Sequence, residues 1–232
     1  MVVFGKRFSL AVCETYKNDF HKNAAYLIIL CKKDDITVVD KSGHRHTGQI
    51  LLIKPMVEHF VEASSTTAYH IFLAPHSSFA ENLGKHLGDF GVSKLPANVL
   101  PFNAGMPNEE VFDILDKLMA ESNENIDPRL AAALDDLENS PSKTTLVDVA
   151  KRCDLSPSRL RVLAKEQIGI SLSTLHVWRK AVKSMQMLSS GCTLSEAAQA
   201  GGFSDQAHFN RTVRKMFGIT PSGSTRALDC QK

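Results

Sequence analysis

The sequence predicts an α+β protein of two domains: an amino-terminal antiparallel β barrel or sandwich, then an all-α domain in which two helix-turn-helix units are joined by a long helix. Three observations predict it. Short β-rich runs separated by turn residues fill the first hundred positions. A pattern of short helix, polar or glycine turn and second helix occurs twice in the last third. The charge balance reverses between the two halves.

The β-rich runs are residues 25–31, 35–40, 49–54 and 68–74, punctuated by Gly, Ser, Asn, Asp or Pro. Residues 40–43, Asp-Lys-Ser-Gly, read as a hairpin turn. Several short strands at this spacing suggest a sandwich or barrel. A break marked by Pro96 and Pro101 follows. Asn108 is expected to cap a helix opening with Glu109 and Glu110, acids that suit its amino-terminal dipole. Val111, Ile114, Leu115, Leu118 and Met119 give that helix an apolar stripe. The stripe either packs on the β domain or forms a homodimer interface. Ile126-Asp-Pro128 opens a further helix over 129–138. The expected boundaries are 1–103 for the β domain, 104–125 for a helical linker and 126–232 for the all-α domain.

In the first helix-turn-helix unit, residues 146–156 lead into a helix after Ser156; in the second, residues 194–203 lead into a helix after Ser204. Serine at the N-cap position is expected to open each second helix. A short helix crossing onto an exposed second helix is the geometry that offers the latter to a DNA major groove. Between the units, residues 171–189 read as one helix with a stripe of Leu172, Leu175, Val182, Met185 and Leu188. Such a helix spans roughly 28 Å. Successive major-groove faces on one side of B-DNA lie about 34 Å apart, so the rod suits two reading heads one turn apart.

Charge agrees with this placement. Residues 1–125 hold 12 Lys and Arg against 15 Asp and Glu, and residues 126–232 hold 15 against 10. Within 140–226 the count is 13 against 5. A chain of formal net charge +2 thus carries a basic domain, the electrostatic footprint of phosphate binding.

From about residue 126 to 226 the sequence resembles the AraC/XylS transcription regulators. The most specific stretch is residues 201–222, GGFSDQAHFNRTVRKMFGITPS, and Trp178-Arg179 followed by Met185 and Leu188 is similar to the family's linker helix. The resemblance implies a sequence-specific DNA-binding activator or repressor. Its partners would be promoter DNA, RNA polymerase and a small-molecule effector, with a sensing and dimerising barrel at the amino end. Residues 53–59 contain a Pro-x-x-x-His segment, Pro55 to His59, similar to a turn of cupin-like barrels.

The candidate base-reading residues follow from which helix faces point outward. In the second unit Phe203, Phe209, Val213 and Phe217 are expected to anchor the helix, leaving Gln206, Ala207, Asn210 and Arg211 outside. Gln and Asn pair bidentately with adenine, and Arg with guanine. Arg211 and Gln206 also match the family's base-reading positions. In the first unit Leu155, Leu160 and Leu163 are expected to pack inward, exposing Ser158, Arg159, Arg161 and Val162. Here the chain departs from the family: Val162 stands where relatives often carry a base-reading Arg, and Ala164 where they carry a Phe. Valine can still meet a thymine methyl. The turn at Pro221-Ser222 also lacks its usual following aromatic.

Seven of the nine histidines precede residue 90. The pair His44 and His46 has the H-x-H spacing of metal-binding cupins, but Thr47-Gly48-Gln49 follow where a Glu ligand is required, so no metal or other cofactor is assigned. His21 and His59 either hydrogen-bond an effector inside the barrel or are satisfied by backbone carbonyls. No apolar run reaches the 18 residues of a membrane span, and no basic-then-apolar leader is read at the amino terminus. Five scattered cysteines favour a reducing cytoplasm. Neither a nucleophile elbow nor a phosphate loop is present, so no catalytic residue is assigned. Two alternatives stand beside the regulator: a DNA-binding protein whose barrel only dimerises or docks a protein, and a cupin-type metalloenzyme with an accessory DNA-binding domain.

Overall fold

The structure, a computed structural model, describes residues 2–5, 7–14, 18–64, 66–121, 126–139 and 144–223. Residues 122–125 at the end of the expected linker, and Arg226 and Cys230, lie outside the described residues. The chain divides into two compact units, one made of residues 1–123 with 213–232 and one of residues 124–212.

The first unit contains β1 (Val2–Gly5), β2 (Phe8–Glu14), β3 (Tyr26–Cys31), β4 (Ile36–Asp40), β5 (Arg45–Gly48), β6 (Ile50–Ile53), β7 (His59–Val61), β8 (Thr67–Leu73) and β9 (Val92–Lys94), with helices α1 (Ser78–Gly84) and α2 (Asn108–Glu121). The strands pair antiparallel. They form a six-stranded sheet in the order β1-β2-β8-β3-β6-β9 and a three-stranded sheet β5-β4-β7. This is the antiparallel sandwich the sequence predicts. Gly43, at φ 86°, turns the β4–β5 hairpin and donates its N–H to the Asp40 carbonyl at 2.9 Å.

Strands β3 and β6 are apolar throughout, without the alternation of a half-solvated strand, because their sheet is covered on both faces. Leu27, Ile29, Leu51 and Ile53 enter one core with Ile36, Val38 and Val61 of the smaller sheet. Ile28, Leu30, Ile50 and Leu52 enter another with Val111, Leu115 and Met119 of α2. The apolar stripe of α2 is therefore used against its own sheet, and Phe112 adds a ring contact to Phe8 at 5.4 Å. Asn108 differs from expectation. It lies in the first turn of α2, and its Oδ1 accepts a 2.7 Å hydrogen bond from the buried Tyr69 hydroxyl, so the side chain ties the helix to β8 instead of capping it.

The second unit is helical: α3 (Pro128–Asn139), α4 (Leu146–Arg152), α5 (Pro157–Gln167), α6 (Leu172–Ser189), α7 (Leu194–Ala200) and the first half of α8 (Gln206–Phe217). The Ser171 hydroxyl caps α6 by accepting from the Thr174 N–H. Leu172, Leu175 and Leu188 are buried on α6 as the stripe predicts, together with Trp178, Ala181 and Ser184. Val182 and Met185 are only half-buried. The difference has a geometric cause: α7 comes so close to α6 that small side chains, not long ones, occupy the contact. A Cβ added at Gly201 would lie 1.9 Å from the Ser184 Oγ and 2.7 Å from the Lys180 carbonyl oxygen. Elsewhere Arg152 pairs with Asp136 at 2.6 Å, joining α4 to α3, and Arg179 donates to the Leu134 carbonyl, joining α6 to α3.

Because the Lys180 carbonyl belongs to helix backbone and cannot swing away, Gly201→Ala should force α7 off α6. The expected cost is about 1–3 kcal/mol, typical of overpacking a tight contact, read as a lower denaturant midpoint. An unchanged midpoint would show that the two helices approach less closely than described.

Candidate nucleic-acid interface

Each helix-turn-helix unit is assembled from the same local parts. Thr145 opens α4 and Thr193 opens α7 through capping boxes with Asp148 and Glu196, so amino-terminal N–H groups that no helix turn satisfies find side-chain partners. The tight turn then needs a left-handed residue, Asp154 at φ 52° in the first unit and Gly202 at φ 76° in the second. Next comes an apolar anchor whose N–H donates back into the first helix: Leu155 to the Ala150 carbonyl and Phe203 to the Ala198 carbonyl, each at 2.9 Å.

A polar cap starts the second helix in each case, but the two caps differ. Ser156 caps α5 through its hydroxyl, with Pro157 at the first helical position. Ser204 does not cap α8. The acceptor for the His208 N–H is Asp205 Oδ1, at 2.7 Å, and Ser204 donates to the other Asp205 oxygen at 2.9 Å. The second turn is one residue longer, so Asp205 reaches the cap position. The hydrogen bond from the His208 backbone, then that from Ser204, holds the Asp205 carboxyl below the usual range.

The anchored faces are mostly those expected. Leu155, Leu160, Leu163 and Ala164 are buried around α5, and Phe203, Phe209 and Val213 around α8. Met216 is buried as well, and Phe217 only half-buried. Opposite them, Ser158, Arg159, Arg161 and Val162 of α5 are exposed, as are Gln206, Ala207 and Arg211 of α8. Asn210 is half-buried, and its Oδ1 is enclosed without a hydrogen-bond partner. Val162 presents an apolar side chain, 43% exposed, amid this polar row. Arg159 makes a long ion pair with Glu166 at 3.9 Å. Two short rows of exposed donors at the amino-terminal turns of helices held by buried anchors are what major-groove reading requires.

Five of the seven amino-terminal histidines fall into two groups. His44 and His46 both turn toward the Asp40 carboxylate, at 3.3 and 3.1 Å. The Asp40 carboxyl also accepts from the backbone of Ser42 and His44. Among the described residues no group of three His, Cys, Asp or Glu is arranged to hold a metal ion. His21 and His59 are buried, their rings 4.3 Å apart. The Nδ1 of His21 meets the Asp19 carbonyl and that of His59 the Val57 carbonyl, each at 2.9 Å. The His59 Nε2 is enclosed and has no partner. His70 joins them: it shares one face of β8 with Ala68 and Phe72, which face the core between the sheets. Its Nε2 is also enclosed and unpartnered, although part of the residue touches solvent. The sequence reading missed it, and the alternation along β8 is the signal that could have found it.

A family model described as a helix-turn-helix domain matches residues 149–227. The arabinose operon regulatory proteins of Salmonella typhimurium and Escherichia coli are each 32% identical to the chain over 119 residues. That is 47% and 50% of this chain, and 41% and 37% of theirs, so the chain spans about two fifths of the length of these curated relatives. Among solved structures, apo ToxT from Vibrio cholerae has a TM-score of 0.64 at 13% identity, over 97% of this chain and 98% of ToxT. ToxT bound to an unsaturated fatty acid has a TM-score of 0.58 at 14% identity, over 98% of each chain. At that identity the likeness shows a shared two-part fold. The carboxyl-terminal half is a tandem helix-turn-helix, DNA-binding domain. In that half the match to the helix-turn-helix model and to the arabinose operon regulatory proteins agrees with the resemblance to the AraC/XylS regulators.

Burial lowers the pKa of His21 and of His70 to about 4 and that of His59 to about 3. Above an unfolded-state value of about 6.5 these rings are neutral in both states. As the pH drops below it, the unfolded chain takes up protons that the folded chain refuses. Stability should therefore fall between about pH 6.5 and 4, by up to about 1.4 kcal/mol per pH unit for each ring. Denaturation at a series of pH values checks this, and a curve flat across that window would contradict the burial of the cluster.

Proposed function

We propose that the chain is a transcription regulator that binds promoter DNA sequence-specifically with α5 and α8. The observation that carries the reading is the pair of exposed polar rows on those helices, each braced by a buried anchor and both built on α6. Arg211 contacts a guanine, Gln206 and Asn210 read adenine, and Ala207 lets the helix approach the base edges. In the first head Arg161 and Ser158 reach bases or phosphates, Arg159 reaches phosphate, and Val162 packs on a thymine methyl.

The division of labour we propose follows the sequence boundaries: residues 1–103 sense, 104–125 link and 126–232 bind DNA. ToxT has been solved with an unsaturated fatty acid bound, which supports a small-molecule effector here. His21 and His59 are the polar groups we assign to it, on the ground that the His59 Nε2 is enclosed and unsatisfied. With the α2 stripe packed on its own sheet, one chain engaging DNA through both heads is favoured over dimerisation through α2; a homodimer would use another surface. RNA polymerase is the partner that activation requires. No described helix is long and apolar enough to cross a membrane, and the workplace we assign is the cytoplasm, where promoters are. We assign no enzymatic activity, and no cofactor.

Arg211→Ala should weaken binding to a preferred duplex by about 1–3 kcal/mol and relax preference at one base position. Affinity for mixed-sequence duplex should change far less. Equal losses on both duplexes would make Arg211 a phosphate contact and remove the main specificity residue from this account.

A further inference from the structure

The carboxyl-terminal half of α8 belongs to the same compact unit as the β sheets. The last carbonyls of any helix lack partners within the helix and need donors from elsewhere. Here one short segment, residues 18–23, supplies them. The Lys22 N–H donates to the Lys215 carbonyl at 3.2 Å, the Asn23 side-chain amide to the Met216 carbonyl at 2.7 Å, and the Asp19 N–H to the Gly218 carbonyl at 2.9 Å. Gly218 ends the helix at φ 71°, and a Cβ there would lie 2.6 Å from both the Asp19 carbonyl oxygen and the His21 Nδ1. Only glycine fits this seat.

The segment is held equally firmly on its other side. The Asn18 Oδ1 accepts from the Val61 N–H at 2.7 Å, and His21 and His59 exchange backbone hydrogen bonds at 2.9 and 3.0 Å. Asp19 is thereby presented at a fixed place, where its Oδ2 accepts from Arg214 Nε at 2.6 Å. Arg214 is a basic residue of the helix that reads DNA. A guanidinium committed to a carboxylate is withdrawn from phosphate, and the carboxylate itself repels the DNA backbone.

We propose that Asp19, held by the residue 18–23 segment, is an autoinhibitory latch on α8 that competes with DNA phosphate for Arg214. The proposal rests on the DNA-binding reading above. Both partners are largely exposed, with 64% and 55% of their side-chain surface accessible, so the latch is weak and reversible by design of its surroundings. Because the Asp19 carbonyl also meets the His21 ring, whatever displaces His21 reaches α8 through this segment, without passing along α2.

The test uses the full chain, a mixed-sequence DNA duplex and affinities measured across a salt series. Asp19→Asn should bind about two- to fivefold more tightly than Asp89→Asn, a control with the same charge change at an exposed loop site, as expected for an exposed ion pair. Its plot of log affinity against log salt should steepen by about 0.9, one added phosphate contact. In an Arg214→Ala background the Asp19→Asn gain should vanish. Hydrogen exchange should find the Asp19 and Lys22 amides protected in the free protein and exchanging faster when duplex is saturating. Equal behaviour of the two Asn variants, a gain that survives Arg214→Ala, or amide protection unmoved by DNA would each overturn the latch. Absence of salt-sensitive binding by wild type and every variant would instead bring down the DNA-binding reading, and the latch with it.

Discussion

The burial of one face of α6 is the constraint on which the DNA-binding half depends. Leu172, Leu175, Trp178, Ala181, Ser184 and Leu188 form a continuous wall along a single 18-residue helix. The first helix-turn-helix unit leads into its beginning and the second follows from its end, folding back to meet it at Lys180 and Ser184. The two helix-turn-helix units are thus joined by a helix that rises about 1.5 Å per residue, and not by a flexible linker. The wall must also be thin where α7 crosses it, which is why Ser184 sits opposite a glycine and leaves its hydroxyl without a partner. An unsatisfied buried hydroxyl costs about 1–3 kcal/mol. The closeness of the crossing, and so the placement of α8, is what that cost accompanies.

How much of this was legible in the sequence depended on whether the cause was local. Capping boxes, the helix after Ser156 and the long helix after Ser171 are written in neighbouring residues, and all were read or readable there. Strands β3, β4, β6 and β8 were legible because they are β-rich runs ending in turn residues. The edge strands β1, β5, β7 and β9 were not: they are three or four residues long, and pairing with a longer neighbour is what makes them strands. β2 was a missed alternation, since Phe8, Leu10 and Val12 all enter one core. Asn108 reads as a cap until the Tyr69 hydroxyl, distant in sequence, claims its oxygen. Ser204 was displaced as cap by Asp205 for want of knowing that the second turn is one residue longer. The outward rows of α5 and α8 follow from periodicity alone, whereas the meeting of His21, His59 and His70 depends on how three separate segments come together.

The two halves divide their chemistry. The basic domain offers exposed donors at two helix ends, and its acidic residues are largely consumed in caps and pairs, as with Asp148, Glu196, Asp205 and Asp136. The amino-terminal half encloses three neutral imidazoles and holds unpaired nitrogen at two of them. His21 belongs to the residue 18–23 segment that also hydrogen-bonds the end of α8, so the histidine cluster and that helix end are joined by a few hydrogen bonds.

The central claim is that two heads read sequence at a spacing fixed by α6. Selection of bound sequences from a random duplex library, with the purified full-length chain at near-physiological salt, tests it most directly. The account predicts enrichment of two short blocks about one helical turn apart. Enrichment of a single block would contradict a base-reading role for the Val162-bearing head. Binding that salt abolishes, with no block enriched, would contradict sequence-specific reading altogether.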